Sequence, residues 1–177
     1  MITEEREYAT YSSMPSVSYK IIEHLMNNPK AEIIWKLLKY DDADAYSRPN
    51  LTLDEKSKLI YNGEAVLSKY NVFFDYMMDD AEDQMKTLLR IYPAEVYPTT
   101  RVTGICTVNL EVFTHSKINH LSNYTTRVDV IIQTLLKVLN GVDVGGIGVL
   151  FFDNQGSRYD RIQTIGQKPY KGKLLKM

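Results

Sequence analysis

One stretch constrains the fold more than any other. Val128, Ile131, Ile132, Leu135, Leu136 and Leu139 recur every three to four residues, and Asn140-Gly141 follows them. That period places the apolar side chains on one face of a helix and stops it at the glycine. Asn123 or Thr125 is positioned to cap its start. A helix so one-sided needs a sheet or a second helix against it.

The flanking segments supply that cover. Over 101–115, Val102, Cys106, Val108, Leu110 and Val112 share a parity, which is the mark of a strand face. Ile105 and Phe113 fall on the other parity, so both faces are partly covered. After the helix, Gly145-Gly146-Ile147-Gly148 opens onto Val149-Leu150-Phe151-Phe152, read as a buried strand over 147–153. Asn154-Gln155-Gly156-Ser157 is a turn, and 158–166 reads as the returning strand of a hairpin. Residues 168–177 carry four lysines and read as an arm or edge segment. An extended segment over 86–97 is bounded by Pro93 and Pro98. The expected fold is α+β: an antiparallel sheet with a long helix packed on one face, preceded by an N-terminal helical segment.

That first segment, 1–70, is polar and helical and reads as an arm; 71–177 forms the α+β domain. Ser16 or Ser18 can cap a helix through Asn27, with Val17, Ile21, Ile22 and Leu25 on one face. Asn27-Asn28-Pro29 breaks it. A second helix over 30–40 carries Ile33, Ile34, Leu37 and Leu38 on one side, with Trp35 on its flank. Thr52-Leu53-Asp54-Glu55 is a capping box, so a short third helix starts there. Asn62-Gly63 ends it.

Composition removes several functions. The chain has 177 residues, enough for one main domain with its own core. Lysine and arginine total 21 against 22 acidic residues, for a net charge of −1. Bulk charge therefore does not hold it to nucleic acid. Cys106 is the one cysteine, which rules out an internal disulfide and a multi-cysteine zinc site. No apolar run is long enough to span a bilayer, and the acidic start is no signal peptide. Thirteen tyrosines against one tryptophan suit half-wet contacts at interfaces, or reflect a habit of the source genome.

No constellation spells out a reaction. The glycine cluster follows a helix and precedes a strand, the reverse of a phosphate loop, so it reads as a helix stop and turn. Asp75, Asp79, Asp80, Glu82 and Asp83 form an acidic run without the alternation or central glycine of a calcium loop. His24, His115 and His120 have no partner at metal-ligand spacing, and no Gly-x-Ser-x-Gly elbow is present. Arg158, Arg161, Lys168, Lys171, Lys173 and Lys176 make the last segment basic, with Tyr159 and Tyr170 interleaved. It reads as a solvated tail, as an arm docking on an acidic neighbour, or as a contact to nucleic acid.

The order of elements over 102–165 resembles the tail-terminator and head-to-tail joining proteins of tailed bacteriophages. The likeness is carried by the long strand, by Asn123-Tyr124-Thr125-Thr126-Arg127-Val128-Asp129-Val130-Ile131-Ile132-Gln133, by Leu139-Asn140-Gly141 and by Gly146-Ile147-Gly148-Val149-Leu150. Residues 1–70 look more like the added helical segments of neck ring proteins in short-tailed phages, including crAss-like phages. The resemblance implies a long helix on a curved antiparallel sheet and assembly into a ring.

The expected function is a structural, non-enzymatic virion protein of the phage neck, without cofactor, catalytic or metal site. It would form a ring of twelve or six copies that joins portal and head to the tail. Portal or adjacent neck ring proteins and tail proteins would be its partners, with DNA only passing through the lumen and no membrane contact. The candidate subunit-interface residues are acidic Asp79, Asp80 and Asp83 on one patch and basic Arg158, Arg161, Lys171 and Lys173 on another. The rival readings are a small α+β adaptor or chaperone-like module, monomeric or dimeric, and a nuclease using Asp75, Asp79 and Glu82 with Mg²⁺.

Overall fold

The computed structural model of the chain describes residues 16–64, 66–75, 85–100, 104–152, 158–165 and 168–177. Helix α1 spans Val17–Asn27. A single 3₁₀ turn, Pro29–Ala31, leads into α2, Glu32–Lys39. Asn28 Oδ1 accepts from the Lys30 amide at 3.0 Å, and Pro29 takes a position where no amide is needed. Helix α3, Leu53–Ser57, begins with the expected capping box: the Glu55 amide donates to Thr52 Oγ1 and the Thr52 amide to Glu55 Oε2. Helix α4 covers Arg127–Leu139. Its cap is Thr126, whose Oγ1 accepts from the Asp129 amide at 3.2 Å. Neither Asn123 nor Thr125 caps the helix: the side-chain Oδ1 of Asn123 accepts from the Thr125 amide and hydroxyl instead.

Strands β1 (Val72–Phe73), β2 (Thr87–Pro98) and β3 (Gly104–His115) lead into the sheet. Strands β4 (Val142–Asp143) and β5 (Val149–Leu150) are two residues each. Strands β6 (Arg158–Ile165) and β7 (Lys168–Lys176) close it. Five strands make one sheet in the order β1-β2-β3-β7-β6, antiparallel except for the β1–β2 pair. The fold is α+β, with helices packed on one sheet face. Pro93 does not end β2: a register shift between Pro93 and Glu95 absorbs it, as bulges do.

Two sequence expectations fail in this sheet. The run at 147–153 is not a strand of it; β5 pairs with β4 in a separate ribbon. The glycine-rich turn sends the chain straight back, with Gly146 at φ 74° and Gly148 at φ 108°, and the Gly141 amide donates to the Leu150 carbonyl at 2.7 Å. The hairpin partner of β6 is instead β7. Residues 168–177 are therefore neither an arm nor an edge: β7 lies between β3 and β6, and Met177 exchanges two backbone hydrogen bonds with Val108.

One core joins the helices to the sheet. Ile21, Ile22 and Leu25 of α1 and Ile34, Leu37 and Leu38 of α2 pack in the same cluster as Leu89, Ile91, Val108, Leu110 and Val112. From α4 come Ile131, Ile132, Leu135 and Leu139. Trp35 is wholly buried rather than on a flank, and its indole N–H donates to the Leu25 carbonyl at 3.0 Å. A smaller cluster of Tyr70, Phe73, Leu88 and Phe113 covers part of the other sheet face.

Candidate interaction surface

Buried polar groups hold the framework from which the surface projects. Arg127, the first residue of α4, is fully buried. Its guanidinium donates to the carbonyls of Leu37 (2.8 Å), Tyr40 (2.6 Å), Asp42 (2.9 Å) and Ile118 (3.1 Å). It thereby closes the C-terminal end of α2, whose last carbonyls have no intrahelical partner. Burial pulls its pKa below the ordinary arginine value, while Asp41 and Asp42 oppose that shift. Lys56 pairs with Glu32 at 2.6 Å and donates to the Met26 carbonyl, tying α3 to α1 and α2. Lys86 donates to the Tyr70 carbonyl at 2.6 Å, and burial pushes its ammonium down to about 8 against the pull of Asp41. Across β2 and β3, Arg90 meets Glu111 at 3.4 Å and lies over the Phe113 ring.

These groups hold backbone together. Among the described residues, no three His, Cys, Asp or Glu side chains form a group able to hold a metal ion. His24 Nε2 lies 3.2 Å from the Val138 carbonyl, while His115 Nδ1 accepts from the Lys117 amide. Burial pushes the Cys106 thiol up, away from the reactive thiolate. No described helix is long and apolar enough to cross a membrane.

Besides Tyr19, Leu53, Val66 and Met85, the exposed large apolar side chains among the described residues sit on three projections. The first is the far half of the β2–β3 hairpin. Strand β7 pairs with β3 only from Asn109 onward, and β1 pairs with β2 only at Leu89 and Arg90. Among the described residues, no third strand lies against Glu95–Pro98 or Gly104–Thr107. Tyr97 and Ile105 are register partners there and both are exposed. The Tyr97 hydroxyl donates to Glu95 Oε2 at 2.7 Å, and that carboxylate raises the phenol pKa. The second projection is the β4–β5 ribbon, where Leu150 turns into the core while Val149 and Phe151 (67 % exposed) face solvent.

The third is the loop before α4. Tyr124 is 100 % exposed and stands at φ 63°, in the left-handed region. For a bulky residue that conformation costs roughly 1–2 kcal/mol. The surroundings enforce it. The Tyr124 amide donates to the Leu121 carbonyl, and the Leu121 amide to the Thr125 carbonyl. Ser122 donates to Asp44 Oδ1 at 2.5 Å, and its amide donates to the Ala43 carbonyl at 3.1 Å.

Of the expected interface residues, Asp79, Asp80 and Asp83 lie outside the described residues, as does Glu82. Arg158 and Arg161 fall on the edge strand β6, opposite Leu174 and Gly172. Lys171 and Lys173 fall on β7, where they pair in register with Thr114 and Val112. The basic residues thus belong to two paired strands rather than to a loose tail. The sequence reading passed over Tyr97 and Tyr124. The off-parity positions of Ile105 and Phe113 predict a partly covered second face, which holds at buried Phe113 and fails at exposed Ile105, and nothing in Ser-Asn-Tyr-Thr marks the second site.

These features define a class: an α+β protein with exposed apolar side chains on projecting ribbons and on a braced loop. The family described as YomW matches residues 31–173, and the chain belongs to that family. The family name is of a phage type, which makes this a phage-associated protein. Neither the curated proteins nor the solved structures contain a match to the chain.

Proposed function

We propose that this phage-associated protein is a structural, non-enzymatic subunit of the phage neck. Its copies form a ring that joins the portal and head to the tail and leaves a channel for DNA. The observation that carries the reading is the far half of the β2–β3 hairpin, with exposed Tyr97 and Ile105 and, among the described residues, no third strand against it. Its five residues Ala94 to Pro98 extend roughly 16 Å at about 3.3 Å each. A monomer blunts or covers such edges, whereas an assembly subunit uses them for main-chain pairing with a neighbour. Contact between two different patches on successive copies closes into a ring. The phage-associated family supports a place in the particle, and the resemblance to neck proteins supports that layer.

Native mass spectrometry of the purified chain at near-physiological salt, backed by negative-stain images, tests this. Closed rings of six or twelve copies, alone or on the portal complex, are the expected result. A chain that stays monomeric or dimeric even with the portal complex overturns the reading and favours the adaptor alternative. Lysine at Asp79, Asp80 and Asp83 tests the acidic-to-basic contact separately. Unchanged rings would remove that contact and leave the ring.

A further inference from the structure

The sheet has a second open rim at β6. One side of this strand pairs with β7, and among the described residues no strand lies on the other. Arg161–Ile165 keep an unbroken register with β7, so roughly 16 Å of backbone, at about 3.3 Å per residue, turns alternate amides and carbonyls outward. No proline interrupts it. A register shift sets Arg158 opposite Leu174 and Arg161 opposite Gly172, positions two apart on β7. The two arginines therefore take register positions of one parity, although three residues separate them in sequence. Residues 158–177 are basic throughout, with Arg158, Arg161, Lys168, Lys171, Lys173 and Lys176 against Asp160 alone.

We propose that residues 4–8 of the same chain pair with the outer rim of β6, setting Glu5 and Glu7 opposite Arg158 and Arg161. Charge and length select this occupant. Fifteen residues, outside the described ones, precede Ser16, and they carry Glu4, Glu5 and Glu7 against Arg6. Glu5 and Glu7 are two apart, the spacing that puts both on one face of a strand and matches the two arginines across the rim. The stretch has no glycine, and no proline before Pro15, so its backbone can donate and accept along the pairing. Helix α1 packs against β2, and β3 and β7 lie between β2 and β6. That crossing is three strand spacings, roughly 14 Å. Residues 9–15 span up to roughly 23 Å, at about 3.3 Å each. A tether of that length presents the segment to its own rim at millimolar effective concentration, far above that of a second copy in dilute solution. The inference stands without the ring reading. With β6 closed, the far half of the β2–β3 hairpin is the rim left for a neighbour.

Hydrogen exchange of the full chain, read by mass spectrometry over 158–165, tests it. The double variant Glu5→Lys with Glu7→Lys is expected to exchange roughly three- to tenfold faster there, with the amides of α4 unchanged. Adding Arg158→Glu and Arg161→Glu swaps the charges and is expected to restore the slower exchange. Glu5→Pro with Glu7→Pro removes two amides and is expected to speed exchange at β6 as the lysines do. Protection of the unaltered chain is expected to be the same at 1 and at 50 times the starting dilution, as pairing within one copy requires. Exchange at β6 that neither double variant alters overturns the proposal. So does faster exchange that the charge swap fails to restore, because the segment then acts elsewhere. Protection that is lost on dilution assigns the rim to a second copy and overturns it as well. None of these outcomes depends on whether the chain forms rings, so the two readings fail separately.

Discussion

At the scale of single residues, Arg127 ties remote parts of the chain together. Four carbonyls from three segments converge on it. Removing it leaves them buried without a donor, which costs more than the hydrogen bonds themselves. Arg127→Met is expected to lower stability by about 3–5 kcal/mol in urea denaturation, and Arg127→Lys to recover only part, since an ammonium cannot span four acceptors. Glu55 makes a pH-dependent contribution. Its carboxylate takes Lys39 at 2.5 Å together with the Thr52 amide and hydroxyl, and these hold its pKa at about 2, below the usual 4.5. A carboxyl with a lowered folded pKa stabilises above its unfolded value and loses that stability as pH falls. Acid titration of the folded chain is expected to show stability dropping between about pH 4.5 and 2, and Glu55→Gln to flatten that part of the curve.

Among the elements, helix α4 and the β4–β5 ribbon separate packing from display. Thr126 caps α4, so Thr126→Ala is expected to cost about 1 kcal/mol in chemical denaturation, while Thr125→Ala costs less than about 0.5. Equal costs would return the cap to the earlier threonine. In the ribbon, Leu150 packs into the core and Phe151 does not. Leu150→Ala is expected to lower the unfolding free energy by about 2 kcal/mol or more, and Phe151→Ser to change it by under about 0.5. A buried strand over 147–153 would have made both costly.

The whole molecule combines a closed core with an open rim. Helical residues between 17 and 60 share one apolar cluster with the sheet and α4. Exposed apolar side chains at the hairpin end, on the small ribbon and in the loop before α4 lie outside that cluster. Assembly and stability should therefore respond separately. Lysine at both Tyr97 and Ile105 is expected to leave the thermal unfolding of the monomer within a degree or two while abolishing rings in negative stain. A large loss of stability would place those side chains in the fold instead.

Local patterns in the chain already specify much of this architecture. Helical spacing in 128–139, alternation along β3, the capping box at Thr52 and the α+β class are all readable from neighbouring residues, because each depends on contacts a few positions apart. Where those patterns led astray, a distant partner decided. The lysines of β7 read as a tail, yet each has a register partner on β3 or β6, and Lys171 has one on both, whatever their side chains are. Trp35 read as flanking, yet α1 and the Leu25 carbonyl cover it. Val149-Leu150-Phe151-Phe152 read as buried, yet the preceding glycines fold it onto β4. Exposure is settled in the same way. Residue type alone does not separate exposed Tyr97 and Tyr124 from buried Tyr70; the packing of remote segments decides which rings stay in water.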